Sequence, residues 1–481
     1  LFTQVGPRVL VVVSGYSYNG RWHDRRDVVT KLVEGLPTVE HVVALPGGED
    51  IPDSSEWSSL LAQSDEPLVP TAVPFDHPLW IVYTSGTTGR PKSIVHGHGG
   101  VMLEHHKLLR LQLGLSAEDR FFWYSTTGWI MWNILIGGLL VGTPIVLYDG
   151  SPTYPNEERL WDLAEQTSAS FLGLSAGFIQ TAMTQGHHPR HGRDLSALSA
   201  VGVTGSPLAA DGYAWLLEGL GSSTFIASIS GGTDVATGFL GCSRSLPVRA
   251  GHLQTSCLGI DAVAVDDAGN VLVGTTGELV IRAPMPSMPV GFWGDTNGER
   301  YRSSYFDVFP GWWRHGDWIR FDEDGSCVIL GRSDATLNRG GIRMGTSDFY
   351  SVLDGMAAIR DSLVLDVASS TDAIGSLILI VQLADGGPGN DDIEREIRST
   401  LRSALSPRHN PDQIIVVERL ARTMNGKRIE VPAKRLFQGE ALGDVIDASA
   451  VNDPAALELL NDAAMRWRAA NAPTPVIDQF F

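Results

Sequence analysis

The segment Thr84-Ser85-Gly86-Thr87-Thr88-Gly89-Arg90-Pro91-Lys92 constrains this chain more than any other. It follows Leu79–Tyr83, an apolar run that reads as a strand. A strand therefore delivers the chain into a loop dense in Gly, Ser and Thr. Glycines let the backbone approach an anion closely, and main-chain N–H groups can then point at it. The hydroxyls add donors, and Lys92 adds a positive charge. Such a loop suits phosphate. It is not the GxxxxGK[ST] pattern, because no Ser or Thr follows a Gly-Lys pair. On composition alone, a surface turn stays open as the alternative.

The flanking sequence predicts how the loop is mounted. Val9–Val13, Val42–Leu45, Phe121–Ser125, Ile145–Tyr148, Ser199–Val203 and Phe225–Ile229 read as strands. Between them, Arg26–Leu36, Val101–Leu113, Met131–Leu140, Glu158–Gln166 and Ala209–Leu220 read as helices. This alternation predicts α/β layering with largely parallel sheets. After about residue 240 short strands crowd together at Asp261–Val265, Val271–Val273, Glu278–Ile281 and Cys327–Leu330, predicting a β-rich subdomain. Beyond Gly331–Asp334 a smaller α+β region is expected, with strands at Ser362–Val367, Ser376–Gln382 and Gln413–Val417 and a helix at Asp391–Leu405. The expected division is 1–331, a junction at 332–335, and 336–481 with a loose tail after Arg468.

Composition excludes several function classes. A chain of 481 residues is long enough for two or three domains. Acidic residues outnumber basic ones 55 to 36, for a net charge of −19. An acidic surface repels phosphate backbones, so no nucleic-acid partner is expected, though a local pocket can still take a nucleotide. Cys242, Cys257 and Cys327 form no disulfide framework and no zinc spacing, which fits a reducing cytoplasm. The most apolar run, Ile134–Val141, is too short to span a bilayer, so no membrane partner is expected and a buried helix is. His187, His188 and His191 sit in a Gly- and Pro-bounded loop, a poor metal site. The chain begins at Leu1 rather than Met, which reads as processing or as an incomplete reading frame.

Five further motifs fall into register with the loop. They are Ser228-Ile229-Ser230-Gly231-Gly232-Thr233-Asp234, Trp313-Arg314-His315-Gly316-Asp317, Gly331-Arg332-Ser333-Asp334, Asn338-Arg339-Gly340-Gly341-Ile342-Arg343 and Thr423-Met424-Asn425-Gly426-Lys427. Together they resemble the adenylate-forming superfamily, which includes acyl-CoA synthetases, luciferases and peptide-synthetase adenylation domains. The resemblance implies a large layered α/β N-terminal domain, a β-rich subdomain and a small mobile C-terminal α+β lid. It also implies roles. Thr84, Ser85, Gly86, Thr87, Thr88 and Gly89, with Gly231, Gly232 and Thr233, would hold the ATP phosphates. Lys92, Thr233 and Lys427 would be catalytic. Asp234 would help hold Mg²⁺, where many relatives have Glu. Asp317 would bind the ribose hydroxyls, although His315 stands where the family has Thr. Arg332 would reach the ribose or phosphate, and Arg343 the adenylate phosphate. Asp334 would be the hinge pivot, and Gly341 would leave room for the pantetheine arm of coenzyme A.

Longer stretches, including Arg120–Asn133, Gly331–Asn338 and Gly426–Pro432, resemble the branch of acyl-CoA synthetases that acts on acetoacetate. In that branch Trp129, Met131 and Trp132 would line or limit the acyl pocket, with core packing as the alternative for all three. The resemblance runs from about Pro7 to about Leu436. Relatives carry a further segment before the position of Leu1, so an N-terminally truncated ligase is expected. Another small acid, a carrier-protein acceptor, and a nucleotide-binding remnant without activity stay open.

Overall fold

The computed structural model describes residues 2–62, 66–84, 92–333, 337–339, 342–367, 376–384, 390–424 and 426–471. At its centre five parallel strands lie in the order Phe225–Ser228, Ala200–Thr204, Phe171–Ser175, Phe121–Trp123, Ile145–Val146. Strands covered on both faces read as continuous apolar runs, and most of these are buried along their length. Alternate residues go to opposite faces. Phe122, Leu172, Leu174, Val201, Val203 and Ile226 meet Leu160, Trp161, Ile179 and Leu216 on helices Arg159–Thr167, Ala176–Thr184 and Ala210–Leu220. Phe121, Trp123, Phe171, Ala200 and Phe225 meet Leu108, Leu109, Ile134 and Leu135 on the other side.

The strand Phe171–Ser175 was not expected, because Gly173 interrupts its apolar pattern. A Cβ on Gly173 would lie 1.9 Å from the Trp123 ring, and one on Gly202 2.5 Å from it. The glycines are there because the indole lies flat across them.

Between the phosphate-type loop and the helix that follows it lies a strand the sequence reading did not name. Ser93–Gly97 first returns antiparallel to Pro78–Tyr83, with Tyr83 opposite Ser93. Thr84 and Lys92 therefore leave one end of the same strand pair. The helix His98–His106 follows and passes into a π-helical turn at Lys107–Gln112. The run Ile134–Val141 also departs from expectation. Its helix, Ile130–Gly137, ends in a short 3₁₀ turn, and Leu139 and Leu140 are exposed.

The β-rich part is an antiparallel sheet ordered Val271–Leu272, Ala262–Val265, Gly277–Ile281, Trp313–Phe321, Cys327–Arg332. Farther along, Ile359–Val367, Ser376–Leu383 and Gln413–Val417 form a sheet with helices on both faces. One covering helix is Pro454–Ala470, which lies beyond the reach of the resemblance. Its Asp453 cap accepts from Ala456 N at 3.0 Å, and Leu457 and Leu460 bury against Leu436 and Phe437. Among the described residues no helix is long and apolar enough to cross a membrane.

Candidate nucleotide site

Lys92 leaves the loop directly opposite Asp234. Its Nζ lies 3.9 Å from Asp234 Oδ1 and 4.6 Å from the Tyr305 ring centroid. The Tyr305 hydroxyl donates to the same Asp234 oxygen, and its ring stacks on Trp313 at 3.6 Å. Burial alone would raise the Asp234 pKa. His315, Lys92, Arg332 and the Tyr305 hydrogen bond outweigh it, and the carboxyl titrates below its ordinary value. Burial and the facing Asp234 push the Tyr305 hydroxyl upward, so it stays a donor. Tyr305 carries no motif. The aromatic spacing of Tyr301, Tyr305 and Phe306 around helix Glu299–Tyr305 is the signal that marks it.

The Ser230–Gly232 strand bulges against Thr237–Gly241 so closely that only glycine fits at one position. A Cβ on Gly231 would lie 2.1 Å from Thr237 O and 2.7 Å from Gly238 Cα, both backbone. At Gly232 the nearest atom is His315 Cε1 at 3.0 Å, a side chain that can shift. Gly231→Ala is therefore expected to cost about 3 kcal/mol, as overpacking does. Gly232→Ala should cost clearly less. Urea denaturation midpoints check the ranking, and equal midpoints would contradict it. Next along, Thr233 O faces His96 Nε2 at 2.9 Å, while His96 Nδ1 faces Ser287 O at 3.2 Å. Burial lowers the His96 pKa, and a neutral imidazole has one N–H to give to those two carbonyls.

The Trp313–Phe321 strand supplies the next wall. Asp317 is paired in register with Arg332 on the neighbouring strand. Arg332 Nη1 lies 3.6 Å from Asp317 Oδ1, and His315 Nε2 lies 3.6 Å from Asp317 Oδ2. Gly316 between them has φ +87°, and a Cβ there would meet Arg332 Nη2 at 2.9 Å, so glycine clears the path of the guanidinium. His315 is buried edge-on against Phe239 at 4.4 Å. Its Nδ1 has no hydrogen-bond partner among the described residues. Burial lowers its pKa, helped by Arg332 and Lys427 and opposed by Asp317 and Asp234. The motif pattern assigned His315 no role, yet it fills the space between the Asp317 and Gly231–Asp234 segments. Behind this wall Ser333 Oγ donates to Glu278 Oε1 at 2.8 Å, and Arg314 Nη2 pairs with Glu278 Oε2 at 3.1 Å.

Lys427 arrives from far along the chain. The residue is exposed, and its ammonium feels the charges of Arg332, Asp317 and Asp234. Lost hydration lowers its pKa and Arg332 lowers it further, while Asp317 and Asp234 oppose. The structure thus brings Lys92, Thr233, Asp234, Asp317, Arg332 and Lys427 to one place.

Ser85, Gly86, Thr87, Thr88, Gly89, Asp334 and Gly341 lie outside the described residues. Arg343 sits on the strand Ile342–Met344 opposite Asn338, its side chain likewise outside them. Met131 is buried in the core with Phe121, Trp123 and Leu135, and Trp129 packs against that cluster. Trp132 is half-buried.

The donor set suits a hard divalent cation. Asp234 is ionised, and its contacts with Tyr305 and Lys92 both fall on Oδ1, so Oδ2 would be the oxygen to meet a cation. No cluster of three or more His, Cys, Asp or Glu among the described residues could hold a metal by itself, so other ligands would be substrate phosphate and water. His187 instead faces Glu158 at 3.6 Å.

Known proteins resemble this chain over most of its length. The family model of AMP-binding enzymes matches residues 1–291. Acetoacetyl-CoA synthetase of Gallus gallus is 36% identical over 471 residues, covering 95% of this chain and 70% of its own length. Acetoacetyl-coenzyme A synthetase of Rhizobium meliloti (strain 1021) is 38% identical over 464 residues, covering 95% and 71%. The solved acetoacetyl-CoA synthetase of Streptomyces lividans superposes with a TM-score of 0.91 at 46% identity, covering 97% of this chain and 72% of that one. An anthranilate CoA ligase solved with anthranoyl-AMP shares the fold, with a TM-score of 0.74 at 20% identity, covering 89% and 78%. The chain belongs to the acetoacetyl-CoA synthetase family of AMP-binding enzymes.

Proposed function

We propose that this chain is an ATP-dependent, AMP-forming ligase that joins acetoacetate to coenzyme A through an acyl-adenylate. The observation that carries the reading is that Lys92 faces Asp234 at 3.9 Å and Arg332 faces Asp317 at 3.6 Å, with the Lys427 ammonium within the field of Asp234, Asp317 and Arg332. That constellation gathers cations and a metal-type carboxylate where a nucleotide triphosphate and an acid would meet. The relatives' names supply the acid.

In the first step the acid's carboxylate attacks the α-phosphorus of ATP, and the bond to pyrophosphate breaks. Carboxylate and triphosphate are both anions, so the step needs fixed positive charge at the reacting atoms. Lys92 and the N–H groups of Thr84–Gly89 serve the β- and γ-phosphates, with Thr233 beside them. Asp317 accepts from the ribose hydroxyls, and Arg332 holds its carboxylate in place. Lys427 faces the α-phosphate and the incoming carboxylate, and Arg343 faces the phosphate of the adenylate. Mg²⁺ held by Asp234 would neutralise charge on the triphosphate. In the second step the small C-terminal part turns about Asp334. The coenzyme A thiol then passes Gly341, attacks the acyl carbon and displaces AMP. Trp129 and Trp132, with Met131 behind, would limit the acyl pocket to a short acid. Such an enzyme works in the cytoplasm on small molecules alone.

Release of AMP measured with acetoacetate, acetate, propionate and butyrate, each with ATP, Mg²⁺ and coenzyme A, tests the substrate. Acetoacetate should give the highest kcat/KM by about tenfold or more, the worth of one site-specific hydrogen bond. Equal rates across the four acids would remove acetoacetate from the reading.

A further inference from the structure

The turn that carries Lys427 is closed by its own hydrogen bonds. Thr423 N donates to Lys427 O at 2.8 Å, and Lys427 N donates to Thr423 Oγ1 at 3.0 Å. One side of the turn is held by the backbone: Met424 N donates to Ala450 O at 3.0 Å and Asn452 N to Arg422 O at 2.9 Å. The arginines on either side tie it to the strand Ile359–Val367 as well. Arg422 Nε and Nη2 donate to Asp361 Oδ2 and Oδ1 at 2.7 and 2.6 Å, and its Nη1 donates to Gly426 O at 2.8 Å. Arg428 Nε donates to Ser362 O at 2.9 Å and lies 3.6 Å from Asp361 Oδ1. Its guanidinium also covers the Tyr350 ring at 3.8 Å and pairs with Asp354.

Asp361 is thus a buried carboxylate on the strand Ile359–Val367 that faces both arginines bracketing Lys427. A buried ion pair is a poor device for stability alone, because desolvation offsets its attraction. What the planar Arg–carboxylate fork adds is direction.

We propose that Asp361 is a positioning residue which, with Arg422 and Arg428, sets where Lys427 stands in the nucleotide site. The proposal rests on the reading of Lys427 as the lysine of the adenylation step. Asp361 then serves that step and not thioester formation, although it touches no substrate.

Asp361→Asn, Lys427→Ala and the double variant test it in the full chain. The readouts are acetoacetate-dependent ATP–pyrophosphate exchange and thioester formation from preformed acetoacetyl-adenylate. Asp361→Asn should lower the exchange kcat about ten- to a hundredfold, the scale of a misplaced catalytic group, with the KM for ATP little changed. Thioester formation should hold within about twofold. In the Lys427→Ala background the same change should cost nothing further, because the two residues act as a unit. Equal loss in both half-reactions, or a full additional loss in the Lys427→Ala background, overturns the proposal. If Asp361→Asn does not fold, Arg422→Lys keeps the charge, loses the fork and is read by the same criteria. Normal exchange by Lys427→Ala would refute the reading beneath. Impaired Lys427→Ala beside an undisturbed Asp361→Asn refutes only this inference.

Discussion

Lys427→Ala is expected to reduce acetoacetate-dependent pyrophosphate exchange by about a hundredfold to a thousandfold, the scale seen when one preorganised charge-stabilising group is removed. Thioester formation from preformed acyl-adenylate should persist, since the thiol then attacks the acyl carbon and no bond to the α-phosphorus forms or breaks. Rapid-quench assays of the two half-reactions check this, and equal losses in both would assign Lys427 a structural role. A pH signature accompanies it. Lost hydration of the ammonium and the neighbouring Arg332 lower the Lys427 pKa from its ordinary value. The ammonium is present below that lowered pKa and is lost as pH rises through it. The exchange rate should therefore fall on the alkaline side earlier than an unperturbed lysine would dictate. Lys427→Arg stays charged throughout and should lack this limb.

Asp234→Asn is the second large effect. The asparagine Oδ1 can still accept from Tyr305, so the Tyr305–Trp313 stack has reason to stay in place. What disappears is the negative charge that faces Lys92 and the oxygen set offered to a divalent cation. Exchange should fall about a hundredfold, with the Mg²⁺ concentration for half-maximal rate moved upward. The wild-type Asp234 pKa lies below its ordinary value. Its ionised form is therefore in place above the usual carboxylate range and is lost only as pH falls through the lowered value. An unchanged Mg²⁺ dependence in Asp234→Asn would remove the metal role.

Much of the frame can be read along the chain, for a physical reason. The strands Ala200–Thr204 and Phe225–Ser228 are buried on both faces, so their apolar runs are continuous and unmistakable. Phe171–Ser175 escapes because Gly173 stands where Trp123 covers the backbone, a demand imposed by a residue far away in sequence. Ser93–Gly97 escapes because its short run abuts the loop and looks like the loop's exit. The site divides in the same way. Lys92, Asp234, Asp317 and Lys427 lie in compact linear motifs, and those after the loop become legible only in register with it. Tyr305 beneath Asp234, His315 against Phe239, and Asp361 between Arg422 and Arg428 are tertiary pairings. Each partner is ordinary in its own stretch and acquires meaning only when the chain folds.

In the proposed ligase ATP and the acid react before coenzyme A takes part. Isotope exchange between ATP and pyrophosphate, run with acetoacetate and Mg²⁺ and without coenzyme A, tests it most directly. Acetoacetate-dependent exchange is expected in the wild-type chain, with its near abolition in Lys427→Ala. Exchange that requires coenzyme A, or ADP in place of AMP as the product of turnover, would contradict it.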